Sequence, residues 1–214
     1  MRGRLIASIL ILQALSLAEV IDRIAVTVGR QVITESDVIG ELRLSAFYSQ
    51  AEPQFTSQSK RKAAERLVER TLIRNEMEAG QYALPKAPEA DAAVEALRKR
   101  YSTAAGFQEA LAKYKITEYD VRHYLLEQVA VVLFVDARFG APVQIAESDL
   151  RDYYLRQFLP AWENEKKGPA PSFDDVREDI AQIVRKQRAD GLLDNWLKEA
   201  KDRVRIEFKE EALR

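Results

Sequence analysis

Few side chains in this sequence have a type and spacing that could support catalysis or metal binding. His123 is the only histidine of the chain, so a metal site with two histidine ligands is excluded. Two acidic pairs, Glu147 with Asp149 and Asp174 with Asp175, have the chemistry of a general acid and base. Each pair stands at a predicted helix start, where carboxylates are stabilised by the positive end of the helix dipole. This structural role is the simpler explanation, and we predict no catalytic residues.

The motifs that hold cofactors are also missing from the sequence. It has no glycine-rich phosphate loop, no dinucleotide fingerprint, no nucleophile elbow and no spacing that suits zinc or calcium. The chain contains 8 glycines and no cysteine. The lack of cysteine excludes disulfides, thiolate metal sites and a cysteine nucleophile. We therefore predict a protein that is not an enzyme and that binds no cofactor and no metal.

Aromatic side chains on predicted helices are the remaining candidates for a binding site. Most of them are expected in the core, but those near helix ends could line a groove for extended or unfolded peptide. Tyrosine suits such a groove because it offers apolar contact together with a polar tip. The predicted substrate-binding residues are Phe47, Tyr48, Tyr101, Phe107, Tyr114, Phe158 and Trp162.

The composition indicates a helix-rich globular protein rather than a nucleic-acid-binding one. The chain has 214 residues, of which 47% are hydrophobic, so it can form a substantial core. Its 33 basic and 34 acidic residues are interspersed and give a formal charge of -1. A phosphate backbone requires a clustered basic face, and we therefore predict that nucleic acid is not a partner.

The first eighteen positions have the anatomy of a secretory signal peptide. Arg2 and Arg4 form a positively charged region, and residues 5–17 are almost wholly apolar. Ser16-Leu17-Ala18 has the small-x-small pattern of a cleavage site. Cleavage is predicted after Ala18; the alternatives are an uncleaved membrane anchor or a buried first helix. Since no second apolar span follows, we expect a soluble mature protein without stable membrane insertion.

Apolar residues at helical spacing, together with capping residues, predict a succession of helices. Capping boxes begin at Thr34 and Thr117, and Ser172 caps the last helix. Residues 129–135 are continuously apolar and taken alone would fit a buried strand, but the cap at Thr117 favours a helix buried on most sides. A kink is placed near Gly191. The predicted helices cover residues 34–48, 57–82, 88–101, 107–114, 117–139, 147–162 and 172–197.

Short strands at the two ends of the mature chain predict a small sheet. Residues 20–28 alternate as a strand, break at Gly29-Arg30 and resume over residues 31–33, which forms a hairpin. A hairpin alone is marginally stable, and the alternating residues 204–208 are its natural partner. The fold class predicted is mainly α with a small β-sheet, a helical module closed by an N-terminal hairpin that pairs with a C-terminal strand. Ile24, Val26 and Val28 are expected on its apolar face.

The opening and closing segments resemble a known family. VIDRIAVTV at residues 20–28, followed by VITESDV at residues 32–38, is similar to the start of SurA-like periplasmic chaperones. The resemblance continues through residues 67–77 and 107–126 and returns at residues 172–176 and 204–208. It covers most of the chain after the signal peptide.

The resemblance also implies a domain organisation with one large departure. Relatives carry a parvulin-type prolyl isomerase domain of roughly a hundred residues after a helix like residues 145–162. Here a short loop, residues 164–171, takes its place, so the family's catalytic residues have no matching positions. The expected organisation is a signal peptide at 1–18, a helical chaperone region at 19–163, the loop at 164–171, and a closing helix and strand at 172–214 that complete the same domain.

The function implied by the resemblance is that of a periplasmic chaperone working without ATP. Its partners would be unfolded or partly folded exported polypeptides, outer-membrane proteins among them. One alternative is an isomerase relative by kinship only, and another is a docking module for one folded envelope partner. The sequence does not distinguish a chaperone from a docking module, and it leaves the identity of the client and the oligomeric state open.

Overall fold

Three antiparallel strands join the two ends of the chain that the structure describes. The computed structural model describes residues 22–140, 144–165 and 168–214, so the predicted signal peptide lies outside it. Strands β1 (Ile24–Val28), β2 (Gln31–Thr34) and β3 (Ile206–Phe208) form one sheet in the order β2-β1-β3. The predicted fold class, mainly α with a small sheet that the C-terminal strand completes, is confirmed.

The pairing of β1 with β3 extends beyond the strand residues. The Gly29 amide donates to the Arg205 carbonyl at 2.9 Å, and the Lys209 amide donates to the Ala25 carbonyl at 2.8 Å. After β3 the chain turns inward, so that Leu213 is buried in the core. The predicted terminal strand ends at residue 208, so the burial of Leu213 was not predicted.

A β-bulge changes which residues of β1 face the core. The register of β1 against β2 shifts between Ile24 and Val26. An extra residue in one strand reverses the alternation beyond it, so Ala25 and Val26 are both buried and Ile24 is 45% exposed. The prediction that Ile24 lies on the apolar face is therefore wrong, whereas Val26 and Val28 do lie there.

The helices follow the predicted order, and side-chain caps begin most of them. Thr34, Thr117 and Ser172 each accept a hydrogen bond from the backbone amide three residues on, which confirms the predicted caps. The helices are α1 (Glu35–Ser49), α2 (Ser57–Ala79), α3 (Ala87–Arg98), α4 (Ala104–Tyr114), α5 (Glu118–Val135), α6 (Glu147–Tyr153), α7 (Leu159–Asn164) and α8 (Phe173–Arg203).

Two short π-helical segments interrupt the predicted pattern. One, Asp136–Gly140, follows α5, and the other, Tyr154–Phe158, joins α6 to α7. Pro160 stands just after the second segment. A proline donates no backbone hydrogen bond and its ring crowds the carbonyl four residues earlier, which accounts for the wider turn there.

The remaining differences concern the ends and continuity of elements. Helix α3 ends at Arg98, so the prediction that it reaches Tyr101 is wrong. Helix α8 runs without interruption through Gly191 and ends at Arg203, beyond the predicted end at residue 197. Val204 is the C-cap of α8 and β3 begins only at Ile206, later than predicted.

Most buried apolar side chains of the described residues belong to three clusters, and α8 contributes to two of them. The sheet cluster lies between the sheet, α2, α5 and the second half of α8; it includes Val26, Ile33, Val68, Leu72, Phe134, Trp196 and Leu213. The aromatic cluster joins α1, α3, α4 and the start of α5; it includes Phe47, Val94, Phe107, Leu111, Tyr114 and Val121. The α6–α8 cluster includes Leu150, Phe173, Ile180, Ala181 and Val184.

Substitution of Leu213 tests whether burial of the chain end stabilises the fold. It is 1% exposed and packs in the sheet cluster, so Leu213→Ala leaves a cavity and should lower the free energy of unfolding by about 2–5 kcal/mol. Denaturant unfolding of the purified protein measures this change. The nearby exposed substitution Glu211→Ala should change it by less than about 0.5 kcal/mol, and equal effects of the two would contradict the packing.

Candidate functional site

The predicted substrate-binding aromatics of the first half of the chain lie together in the aromatic cluster. Phe47, Phe107 and Tyr114 are buried there, and Phe107 is fully enclosed. The Phe47 ring lies 5.6 Å from that of Tyr114 and 6.4 Å from that of Phe107. A client could reach these three side chains only if the cluster opened, so the structure gives them a packing role.

Tyr48 and Tyr101 lie at the border of the same cluster and are partly buried. Tyr101 stacks on Phe47, with 6.2 Å between ring centroids, and Tyr48 packs against Tyr124 at 5.2 Å. The Tyr48 hydroxyl has no hydrogen-bond partner among the described residues. Burial, and to a lesser extent the neighbouring Tyr124, raises the pKa of Tyr48. Both tyrosines therefore act mainly as the outer layer of the core.

Phe158 and Trp162 lie in a different part of the molecule, beside the loop at residues 164–171. Their rings stack at 5.7 Å, and the Trp162 indole N–H donates to the Gly168 carbonyl at 3.2 Å. The Tyr154 hydroxyl donates to the Pro171 carbonyl at 2.9 Å. These contacts join Gly168 and Pro171 to the helices that precede them. The predicted aromatic residues are thus divided between two places and do not form one groove.

An apolar groove lies instead between the end of α5 and the middle of α8. We call it the α5–α8 groove; its volume is about 460 Å³. Its apolar lining consists of Val131, Val132, Val135, Ala189 and Leu193. Its polar rim consists of Asp136, Gln182, Arg185, Lys186 and Asp190.

Val132 is the most exposed apolar side chain of the groove. It is 66% exposed, although it stands in the continuously apolar run 129–135. The valines of that run lie on several faces of α5, and the neighbouring elements cover only some of these faces. The expectation of a helix buried on most sides is therefore wrong at Val132. The unbroken apolar run was the sequence signal that could have indicated this site.

The position of the groove follows from the path of α8. Buried residues of α8 up to Val184 belong to the α6–α8 cluster, and those from Ala189 onward belong to the sheet cluster. Between these positions Arg185 and Lys186 are exposed, and the side of α8 that faces α5 is left partly open. The groove is therefore a gap at the junction of two cores.

A second cleft, of about 360 Å³, is polar and lies between β2, α1, α2 and α5. At its base Glu41 is only 4% exposed and accepts from the Arg66 Nε at 2.8 Å; its other oxygen contacts Arg70. Arg74 forms an ion pair with Glu127 at the same cleft. These pairs join α1 to α2 and α2 to α5, so the charges of this cleft have structural partners.

The acidic pairs that could have been catalytic have capping and pairing roles. Asp149 accepts from the Ala146 amide at 2.9 Å, which with Arg188 lowers its pKa. Asp175 completes the capping box with Ser172, and Glu147 forms an ion pair with Arg177 at 3.0 Å. His123 is exposed and stacks on Tyr119 at 6.4 Å. The structural explanation offered by the sequence thus fits these contacts.

Within residues 22–140, 144–165 and 168–214, no three acidic or histidine side chains are grouped as metal ligands would be. In the same residues, no helix combines the length and apolar character that a membrane crossing requires.

Comparison with known proteins identifies no family for this chain. No model of a known protein family matches it. The search of curated proteins likewise found no match.

Tyr48 gives a pH-dependent test of the aromatic cluster. Its pKa is raised in the folded protein, so the unfolded chain ionises first when the pH rises above about 10, and stability is then lost. Tyr48→Phe removes a buried hydroxyl without a described partner and should leave the free energy of unfolding at pH 7 within about 0.5 kcal/mol or raise it. It should also reduce the loss between about pH 9 and pH 11.

Urea unfolding across this pH range measures both effects. Tyr119→Phe, at a side chain that is 73% exposed, is the matched control and should keep the alkaline loss of the parent protein. An unchanged alkaline loss in Tyr48→Phe would count against the burial of this hydroxyl.

Glu41 tests the ion pairs at the base of the polar cleft. Glu41→Gln leaves Arg70 largely buried without its carboxylate and should lower the free energy of unfolding by about 3 kcal/mol or more. Denaturant unfolding provides the measurement. Glu65→Gln breaks the exposed pair with Arg61 and should cost less than about 1 kcal/mol, so similar losses in both variants would contradict a buried role for Glu41.

Proposed function

We propose that this protein is an ATP-independent chaperone that holds unfolded exported polypeptides in the periplasm, with the α5–α8 groove as the client-binding surface. The observation that carries the proposal is Val132, which is 66% exposed on α5 beside the partly buried Val131 and Val135 and lines the groove opposite Ala189 and Leu193 of α8. An exposed apolar surface with a polar rim is typical of sites that bind other polypeptides.

The chemistry of the groove suits reversible holding of a client. Apolar contact is non-directional and scales with the area removed from water, so many different segments can bind through it. The lining side chains are small, and each contact is weak. Release then requires only that the client folds or diffuses away, which needs no energy source.

Charges around the groove support solubility of such a surface. Lys186 and Asp190 form an ion pair at 2.8 Å on the rim, and Arg185 is exposed beside them. Hydrated charges beside an apolar patch oppose association between copies of the protein. The periplasmic location in the proposal derives from the predicted signal peptide and from the resemblance to SurA-like chaperones.

The proposal predicts that a charge placed in the groove abolishes chaperone activity without unfolding the protein. Val132→Asp alters an exposed side chain, so the fold should persist while the apolar contact with a client is lost. Aggregation of a denatured, mainly helical exported protein, diluted into buffer and followed by light scattering, is the assay. The parent protein should suppress aggregation at several-fold excess, and the variant should lose at least half of that effect.

Leu192→Asp is the matched control, because Leu192 is 40% exposed on α8 and does not line the groove. It should protect the client as well as the parent does. Equal protection by Val132→Asp would overturn the groove as the binding surface. Failure of the parent protein to protect the client, together with tight binding of one folded envelope protein, would favour the docking-module alternative.

A further inference from the structure

The shape and chemistry of the α5–α8 groove constrain the conformation of what binds there. Along α8 its lining residues run from Gln182 to Leu193 at intervals of three and four. This spacing makes one wall a straight helical ridge about 16 Å long, since each residue of a helix rises about 1.5 Å. Residues from Val131 to Gly140 form the opposite wall.

The apolar lining offers no hydrogen bonds to a main chain. Valine, alanine and leucine side chains have no polar atoms, and the backbone groups of α5 and α8 are engaged in their own helices. An extended peptide pressed into the groove would leave its inward-facing amides and carbonyls without partners, and this is costly. A helical peptide satisfies the same groups internally.

The two walls also carry opposite unpaired charges. Lys186 is paired with Asp190, but within the described residues Arg185 on α8 and Asp136 at the end of α5 have no ion-pair partner. A helix lying between the walls would place one flank of its apolar stripe near Arg185 and the other near Asp136. Complementary charges at such flanking positions set the orientation of packed helices.

We propose that the α5–α8 groove binds an amphipathic helix of about three turns, with aliphatic anchors at i, i+3 or i+4, and i+7, an acidic flank toward α8 and a basic flank toward α5. This inference rests on the proposed function, because it specifies the class of client segment that the same groove takes. The preferred clients are then segments that become helical on the chaperone, rather than segments held as extended strands.

Fluorescence anisotropy with labelled peptides of identical composition tests the inference on the purified protein. The first peptide has the helical spacing and the flank charges described above. In the second peptide the same residues alternate apolar and polar, as in a strand, and in the third the acidic and basic residues are mixed on both flanks. The first peptide should bind at least tenfold more tightly than the second, and Val132→Asp should weaken its binding at least fivefold while Leu192→Asp changes it less than twofold.

The charge on the rim provides a second, independent readout. The first peptide should bind about two- to fivefold more tightly than the third, and Arg185→Glu should remove or reverse this preference. Equal or tighter binding of the alternating peptide would overturn the helical occupant. If that occurs while Val132→Asp still loses protection of a denatured client, the proposed chaperone function stands and only the helical inference fails. If Val132→Asp keeps full protection, the proposed function fails at this groove.

Discussion

Pairing of β3 with β1 fixes where the last helix of the molecule lies. The Gly29 amide donates to the Arg205 carbonyl just before β3, and the Lys209 amide donates to the Ala25 carbonyl just after it. Because α8 ends immediately before β3, these bonds anchor its C-terminal end against the sheet. Trp196 can then pack on Phe134 of α5, with 4.9 Å between ring centroids. An isolated hairpin of β1 and β2 would lack this support.

The single long helix α8 links two cores and thereby creates the surface on which the proposed function depends. Its first half packs on α6, and its second half packs on the sheet cluster. Where it passes from one core to the other, no element of the described residues covers the space between it and α5, and Val132 stays exposed. The apolar groove thus results from the path of a helix rather than from a dedicated loop.

Ion pairs between charged residues join neighbouring helices outside the apolar groove. Glu41 joins α1 to α2 through Arg66, and Lys201 joins α8 to α2 through Glu69 at 2.7 Å. Ion pairs between helices thus engage several of the acidic and basic residues of the described chain. The proposed chaperone role combines two lines of support that do not depend on each other. One is the resemblance of the end segments to SurA-like chaperones, and the other is the groove.

Features that depend on neighbouring residues and on the pattern of a single segment were predictable from the amino-acid sequence. The caps at Thr34, Thr117 and Ser172, the order of the helices and the pairing of the terminal strand were predicted because capping is local and alternation is visible in short stretches. Tertiary structure alone decided that the β1 bulge exposes Ile24, and that Phe47 and Phe107 belong to a core rather than to a groove. It also decided that Val132 is open to solvent. The spacing of apolar residues predicts which face of a helix is buried. Which of those side chains are in fact buried depends on the path of α8 across α5.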